Sequence, residues 1–273
     1  MNDKFEAGLI HLTPILASLL FGVFCAFLIL SSQTEIVGVA PFPEGALGSL
    51  GNAFYFVILV GVGASLLYLL LKRRNRRLIA LIIGFALTTA VFVLSMVYLD
   101  AAFSRFVIPS VEVFTLISAF LITALADFAI FRARGRICDL VVLCLGGALG
   151  AFLGASIPTL SAVLILGFLA VYDAFAVYHG PVGKIAHSGL ERLRGLSFSF
   201  MGVQMGLGDL TFYSMLSGHM LLYFGLVSCL ASMVGILFGC FLAFRMLGRR
   251  GMFPGLPFPI VLGLSLGLLA SLL

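Results

Sequence analysis

Asp173 and Asp209 stand where acidic residues are costly. Asp173 lies in the apolar run 158–178, within Leu169-Ala-Val-Tyr172-Asp173-Ala-Phe-Ala-Val, and Asp209 lies in the apolar run 199–217, within Met205-Gly-Leu-Gly-Asp209-Leu-Thr-Phe-Tyr213-Ser-Met-Leu-Ser-Gly218. A charged carboxylate at the centre of a bilayer costs about 3 kcal/mol or more, so each needs a partner or a function. Taken singly, each reads as a hydrogen-bonding group between helices or as a proton carrier. Taken together, they permit hydrolysis: an ionised carboxylate takes a proton from water while its protonated neighbour gives one to a carbonyl oxygen. Two adjacent charges in a poorly hydrated site do not both ionise easily, so such a pair holds one proton near neutral pH. Gly206 and Gly208 flank Asp209, and two glycines in one turn soften a helix and leave room for a close neighbour. Tyr172 reads equally as a donor to Asp173 or substrate and as a packing residue.

The remaining candidates support less chemistry. Asp127 reads as an interfacial carboxylate paired with a base such as Arg132, and Asp139 as a cap for the helix that follows it. His11, His179, His187 and His219 fall at or near the ends of apolar runs without a His-Glu-x-x-His pattern, and no Gly-x-Ser-Gly occurs; these facts argue against zinc and serine intramembrane hydrolases. The five cysteines at 25, 138, 144, 229 and 240 contain no Cys-x-x-Cys and read as small apolar residues. No metal and no cofactor is expected. Three prolines crowd Phe253-Pro254-Gly255-Leu256-Pro257-Phe258-Pro259, which discourages helix there and marks a helix start after it.

The elements that hold these residues must be membrane helices. Of 273 residues 62% are hydrophobic and 10% charged, against about 25% charged in a soluble domain. At about 20 residues per span the chain has room for nine or ten crossings and no large soluble domain. The apolar runs predict spans at 8–31, 52–71, 78–98, 111–131, 139–156, 158–178, 199–217, 220–246 and 254–273. The first is expected to be a retained span and not a removed signal peptide. Gly146, Gly150 and Gly154 recur every fourth residue in the fifth, a stripe for close packing. The net charge of +5 is no nucleic-acid signal. Lys and Arg cluster after the second, fourth, sixth and eighth spans, while the other connections hold only Arg105. That alternation places the N-terminus in the cytoplasm and the C-terminus outside. Both aspartates then fall in the cytoplasmic half, Asp173 about five residues and Asp209 about ten residues from the inner ends of their spans, at 1.5 Å per residue.

Tyr172-Asp173 and Gly206-Leu207-Gly208-Asp209 resemble the Tyr-Asp and Gly-x-Gly-Asp motifs of the presenilin and signal peptide peptidase family. Gly-Leu-Gly-Asp-x-x-Phe-Tyr-Ser-x-Leu-x-Gly, residues 206–218, is more similar to presenilin, and the short chain to an archaeal presenilin homologue. Pro254-Gly255-Leu256-Pro257 resembles the family's Pro-Ala-Leu-Pro, with glycine in place of alanine; an alanine at 255 is expected to be tolerated. Prepilin peptidases share the Gly-x-Gly-Asp pattern but not this segment.

The resemblance implies an all-α integral membrane protein, a presenilin-like bundle of nine transmembrane helices. Residues 1–178 would form a six-helix half, 179–198 a cytoplasmic loop and 199–273 a three-helix half. It implies an aspartic endopeptidase of the Gly-x-Gly-Asp type in the cell membrane. Asp173 and Asp209 would be catalytic, with substrate bound by Tyr172, Gly206, Leu207, Gly208, Pro254, Gly255, Leu256 and Pro257. Its partners would be the transmembrane helices of substrate proteins and the lipid bilayer. Nucleic acid is not expected, obligate partner subunits are not implied, and a homo-oligomer is left open. The alternative is a proton- or cation-conducting protein using the same two aspartates; paired broken spans in an inverted repeat would favour it, and no convincing repeat is evident.

Overall fold

The apolar runs fold as helices because a chain with no water around it must satisfy its backbone groups internally. The computed structural model describes residues 8–32, 37–73, 76–104, 110–132, 135–178, 195–250 and 253–272. In chain order the helices are α1 (Thr13–Ser31), α2 (Ala46–Lys72), α3 (Arg76–Phe103), α4 (Val111–Asp127), α5 (Arg136–Ser156), α6 (Thr159–Tyr178), α7 (Leu207–Phe224), α8 (Leu226–Arg250) and α9 (Pro257–Ala270). A single turn of π-helix, Phe128–Arg132, extends α4. Among the described residues seven helices, α1 to α6 and α8, are long and apolar enough to cross a membrane. With 14 residues α9 is about 21 Å long, short of a hydrocarbon core of about 30 Å.

The expected all-helical chain is corrected at 199–206. Before α7 the backbone forms an antiparallel hairpin of β1 (Ser197–Phe200) and β2 (Val203–Gly206), with Phe198 opposite Met205 and Ser199 opposite Gln204. Met201 and Gly202 both have positive φ, 48° and 85°, as a two-residue type I′ turn requires. Phe198, Val203 and Met205 are buried while Ser199 and Gln204 are exposed. The period is therefore two, and a helix would scatter those apolar side chains around its circumference. The expected span 199–217 thus becomes a hairpin followed by Leu207–Phe224, joined by a hydrogen bond from Leu207 N–H to the Leu196 carbonyl, 2.8 Å. Asp209 lies in the first turn of α7 and not about ten residues into a span. Asp173 is five residues from the end of α6, as expected. Most of the expected 179–198 loop, residues 179–194, lies outside the described residues.

Helix α7 is the axis of the molecule. It packs against α1, α5, α6, α8 and α9, and from Leu210 to Leu221 only Phe212 reaches the half-buried class. The expected glycine stripe makes this possible. A Cβ on Gly146 would meet Leu210 Cβ at 2.8 Å, one on Gly150 would meet Ser214 Cβ at 2.6 Å, and one on Gly154 would meet the Met215 carbonyl at 2.7 Å. The α5 backbone therefore lies directly on α7. At the far end of α7, His219 Nδ1 bonds the Gly154 carbonyl at 2.7 Å, its Nε2 meets Thr159 Oγ1 at 3.1 Å, and its ring stacks on Tyr223 with centroids 4.3 Å apart. Gly225, at φ 88° and ψ −179°, is the only residue between α7 and α8; essentially only glycine adopts that backbone. Helix α9 returns along α8 and also reaches α6 and α7.

Asp127 accepts hydrogen bonds from Thr88 Oγ1 of α3, at 3.0 Å and 2.8 Å to its two oxygens. Asp139 sits in the first turn of α5, whose N-cap is Gly135, so it acts on the helix dipole and not as the cap.

Candidate active site

Three elements carry the candidate residues to one place. Asp173 comes from the last turns of α6, Asp209 from the first turn of α7, and Gly255 and Leu256 from the segment that leads into α9. The Leu256 N–H donates to Asp173 Oδ2 at 3.0 Å. One residue earlier, Gly255 lies against the other carboxyl: a Cβ there would be 3.3 Å from Asp209 Cγ and Oδ2 and 3.4 Å from Oδ1. The two aspartates therefore converge on adjacent residues. Both carboxyl groups are half-buried.

Asp209 is held by the local geometry of its own motif. Gly206 is the N-cap of α7, which makes Asp209 the third helical residue. An acidic residue in this first turn lies at the positive end of the helix dipole. Gly206 has φ −78° and ψ 150°, extended backbone open to any residue. A Cβ there would stand 3.8 Å from Asp209 Oδ2, an ordinary van der Waals contact, so there is room for a small side chain. Gly208 is exposed, and a Cβ there would meet only the Phe212 ring, at 4.0 Å. The first turn of α7 is thus open beside the carboxyl.

The Pro-Gly-Leu-Pro segment is fixed from both sides. Phe253 and Phe258 stack across it with centroids 5.5 Å apart and planes within 7°. Pro254 is buried and Pro257 is the first residue of α9, so the prolines start a helix as expected, and the Gly255–Leu256 pair between them lies against the two carboxyls. Leu256 is 5% exposed. The Tyr213 hydroxyl donates to the Gly255 carbonyl at 2.8 Å. Nothing in the sequence announces that last bond; Tyr213 is one turn from Asp209, but the reach of Gly255 is a product of the fold.

Two of the expected substrate-binding residues face elsewhere. Leu207 is buried and lies beside Gly146 of α5, 3.4 Å from its virtual Cβ. The Tyr172 hydroxyl lies beside Gly61 of α2, 3.5 Å from its virtual Cβ, which gives its ring a packing role. Gly206, Gly208, Gly255 and Leu256 are at or next to the carboxyls, and Pro254 and Pro257 flank the Gly255–Leu256 pair in the chain.

The family model described as signal-peptide peptidase, presenilin aspartyl protease matches residues 17–187. The chain belongs to that family. The matched residues include Asp173 and stop short of Asp209 and the Pro-Gly-Leu-Pro segment. No curated protein matches the sequence. Two solved structures of a presenilin family intramembrane aspartate protease share the fold at 23% identity. The one in space group C222 has a TM-score of 0.65 over 95% of this chain and 99% of its own. The one in space group P2 has a TM-score of 0.68 over 98% and 99%. Their coverage includes nearly all of this chain, so the fold extends through the C-terminal part that the family model leaves unmatched.

Proposed function

We propose that this membrane protein is an aspartic endopeptidase of the Gly-x-Gly-Asp type that cuts peptide bonds within the transmembrane helices of other proteins. The observation that carries the reading is the convergence of Asp173 and Asp209 on the Gly255–Leu256 pair. The ionised member of the dyad takes a proton from water, which attacks the scissile carbonyl. The protonated member gives its proton to the carbonyl oxygen, and the tetrahedral intermediate collapses with release of the amine. A substrate helix must first unwind, and its freed backbone groups need partners. Strand β2 runs directly into Gly206 and Asp209; a substrate segment laid along a free hairpin edge would find donors and acceptors there. The chain crosses the cell membrane nine times in this reading, with α7 shielded from lipid inside the bundle and the N-terminus in the cytoplasm. Membership of a protease family weighs against the conducting alternative.

The test is cleavage of a reporter transmembrane peptide by the purified full chain in detergent. Asp173→Asn and Asp209→Asn should each lower kcat by about 1000-fold or more while the protein stays folded, and the double variant should be no worse than either single one. A transition-state-analogue inhibitor of aspartyl proteases should block the wild type. Substantial turnover by either variant would overturn the assignment.

A further inference from the structure

One peptide unit ties the two aspartate-bearing helices together. The carbonyl of Gly255 accepts from Tyr213 of α7 at 2.8 Å, and the N–H of the same unit, that of Leu256, donates to Asp173 of α6 at 3.0 Å. A peptide unit is planar, so a bond that fixes its carbonyl also fixes the direction of its N–H. The need for such a bond is local. Gly255 carries no side chain to restrict its torsions, whereas Phe253, Pro254, Leu256 and Pro257 on either side are held by stacking, burial and the start of α9. Without an outside tie the plane is free to swing about the glycine.

We propose that Tyr213 is a positioning residue that holds the Gly255–Leu256 peptide so that its N–H stays on Asp173. The proposal rests on the reading of Asp173 and Asp209 as a hydrolytic pair. Tyr213 is 1% exposed, and a buried phenol requires a partner for its hydroxyl; the partner here is the carbonyl of the loop. Because Tyr213 and Asp209 are one turn apart on α7, the tie registers the α9 loop to the same stretch of helix that carries Asp209. Asp173 on α6 is then oriented by a group whose position α7 dictates. Tyr213 touches neither water nor substrate in this role and performs no proton transfer.

Tyr213→Phe removes the hydroxyl and keeps the ring. Tyr223→Phe is the matched control, since Tyr223 is exposed on the same helix and its hydroxyl meets the Ala155 carbonyl at 3.4 Å, away from the loop. Both are assayed as full-length protein well below their melting midpoints, beside the wild type and Asp209→Asn. We expect Tyr213→Phe to lower kcat by about 10- to 100-fold through misplaced reacting groups, with KM changed less than about threefold. Amide hydrogen exchange in 253–259 should quicken by about tenfold or more while α7 keeps its protection. Tyr223→Phe should match the wild type in both. A Tyr213→Phe protein with wild-type kcat, with loss confined to KM, or with unchanged exchange in 253–259 would overturn the proposal. If the wild type fails to cleave and equals Asp209→Asn, the protease reading falls, and the exchange measurement still decides whether Tyr213 holds the loop.

Discussion

Gly255 shows how a single atom separates folding from chemistry at this site. Its φ lies outside the left-handed region, so alanine fits the backbone, and loss of glycine's freedom in the unfolded chain is worth about 0.4–1 kcal/mol to the fold. The new Cβ, however, would press on the Asp209 carboxyl at 3.3 Å. Tolerance, the expectation from the family's alanine at this place, therefore applies to stability. Gly255→Ala should melt no lower than the wild type and cleave about 3- to 10-fold more slowly, because a carboxyl displaced by a few tenths of an ångström sits off its reacting geometry. Thermal unfolding and kcat measured on one preparation check this. Equal cleavage rates would mean that the Asp209 side chain has room to yield.

Among the elements, the contact of α5 with α7 sets where Asp209 stands. A Cβ on Gly150 would meet Ser214 Cβ at 2.6 Å and Met215 N at 2.7 Å, besides the Thr211 carbonyl. Two of the three obstacles are backbone, which cannot rotate away, so Gly150→Ala must push the helices apart. Overpacking of this kind costs about 1–3 kcal/mol. Cleavage should fall further than stability does, since the displaced helix carries Asp209, one half of the proposed dyad. Gly167 of α6 provides the contrast: nothing lies within 4 Å of its virtual Cβ, and Gly167→Ala should be neutral or raise stability by up to about 1 kcal/mol through helix propensity. Melting curves of the two variants that fall on the same side of the wild type would contradict this account of the stripe.

At the scale of the whole molecule, the proposed orientation rests on charge: Lys and Arg cluster in the connections after α2, α4, α6 and α8, the side proposed to face the cytoplasm. Glu44, before α2, and Ser199, in the hairpin, are both exposed, and the five native cysteines are buried or half-buried. An impermeant thiol reagent added to intact cells should label Glu44→Cys and leave Ser199→Cys unlabelled until the cells are opened. The reverse pattern would put the dyad near the outer surface. The interior position of α7 also explains its composition. Thr211, Tyr213, Ser214, Ser217 and His219 are all buried, and a helix wrapped by five others meets no lipid that would exclude them.

The sequence by itself determined the class of this protein. Apolar runs too long and too uncharged for a soluble core require membrane helices, and two acids within such runs require either a partner or a purpose. The glycine period in α5 was legible for the same reason: spacing of four places small residues on one helix face whatever they meet. Local alternation in Ser-Phe-Ser-Phe-Met-Gly-Val-Gln-Met-Gly, residues 197–206, also carried the hairpin, but the surrounding apolarity reads as span when hydropathy is averaged. Only the tertiary structure decided which partners the stripe meets, that Tyr172 turns to α2, and that Thr88 serves Asp127. It alone joined residues 173, 209, 213 and 255–256 into one site. Periodicity records what a single helix must present to its surroundings. The distance between two helices is set by the packing of all the others, and no short-range pattern contains it.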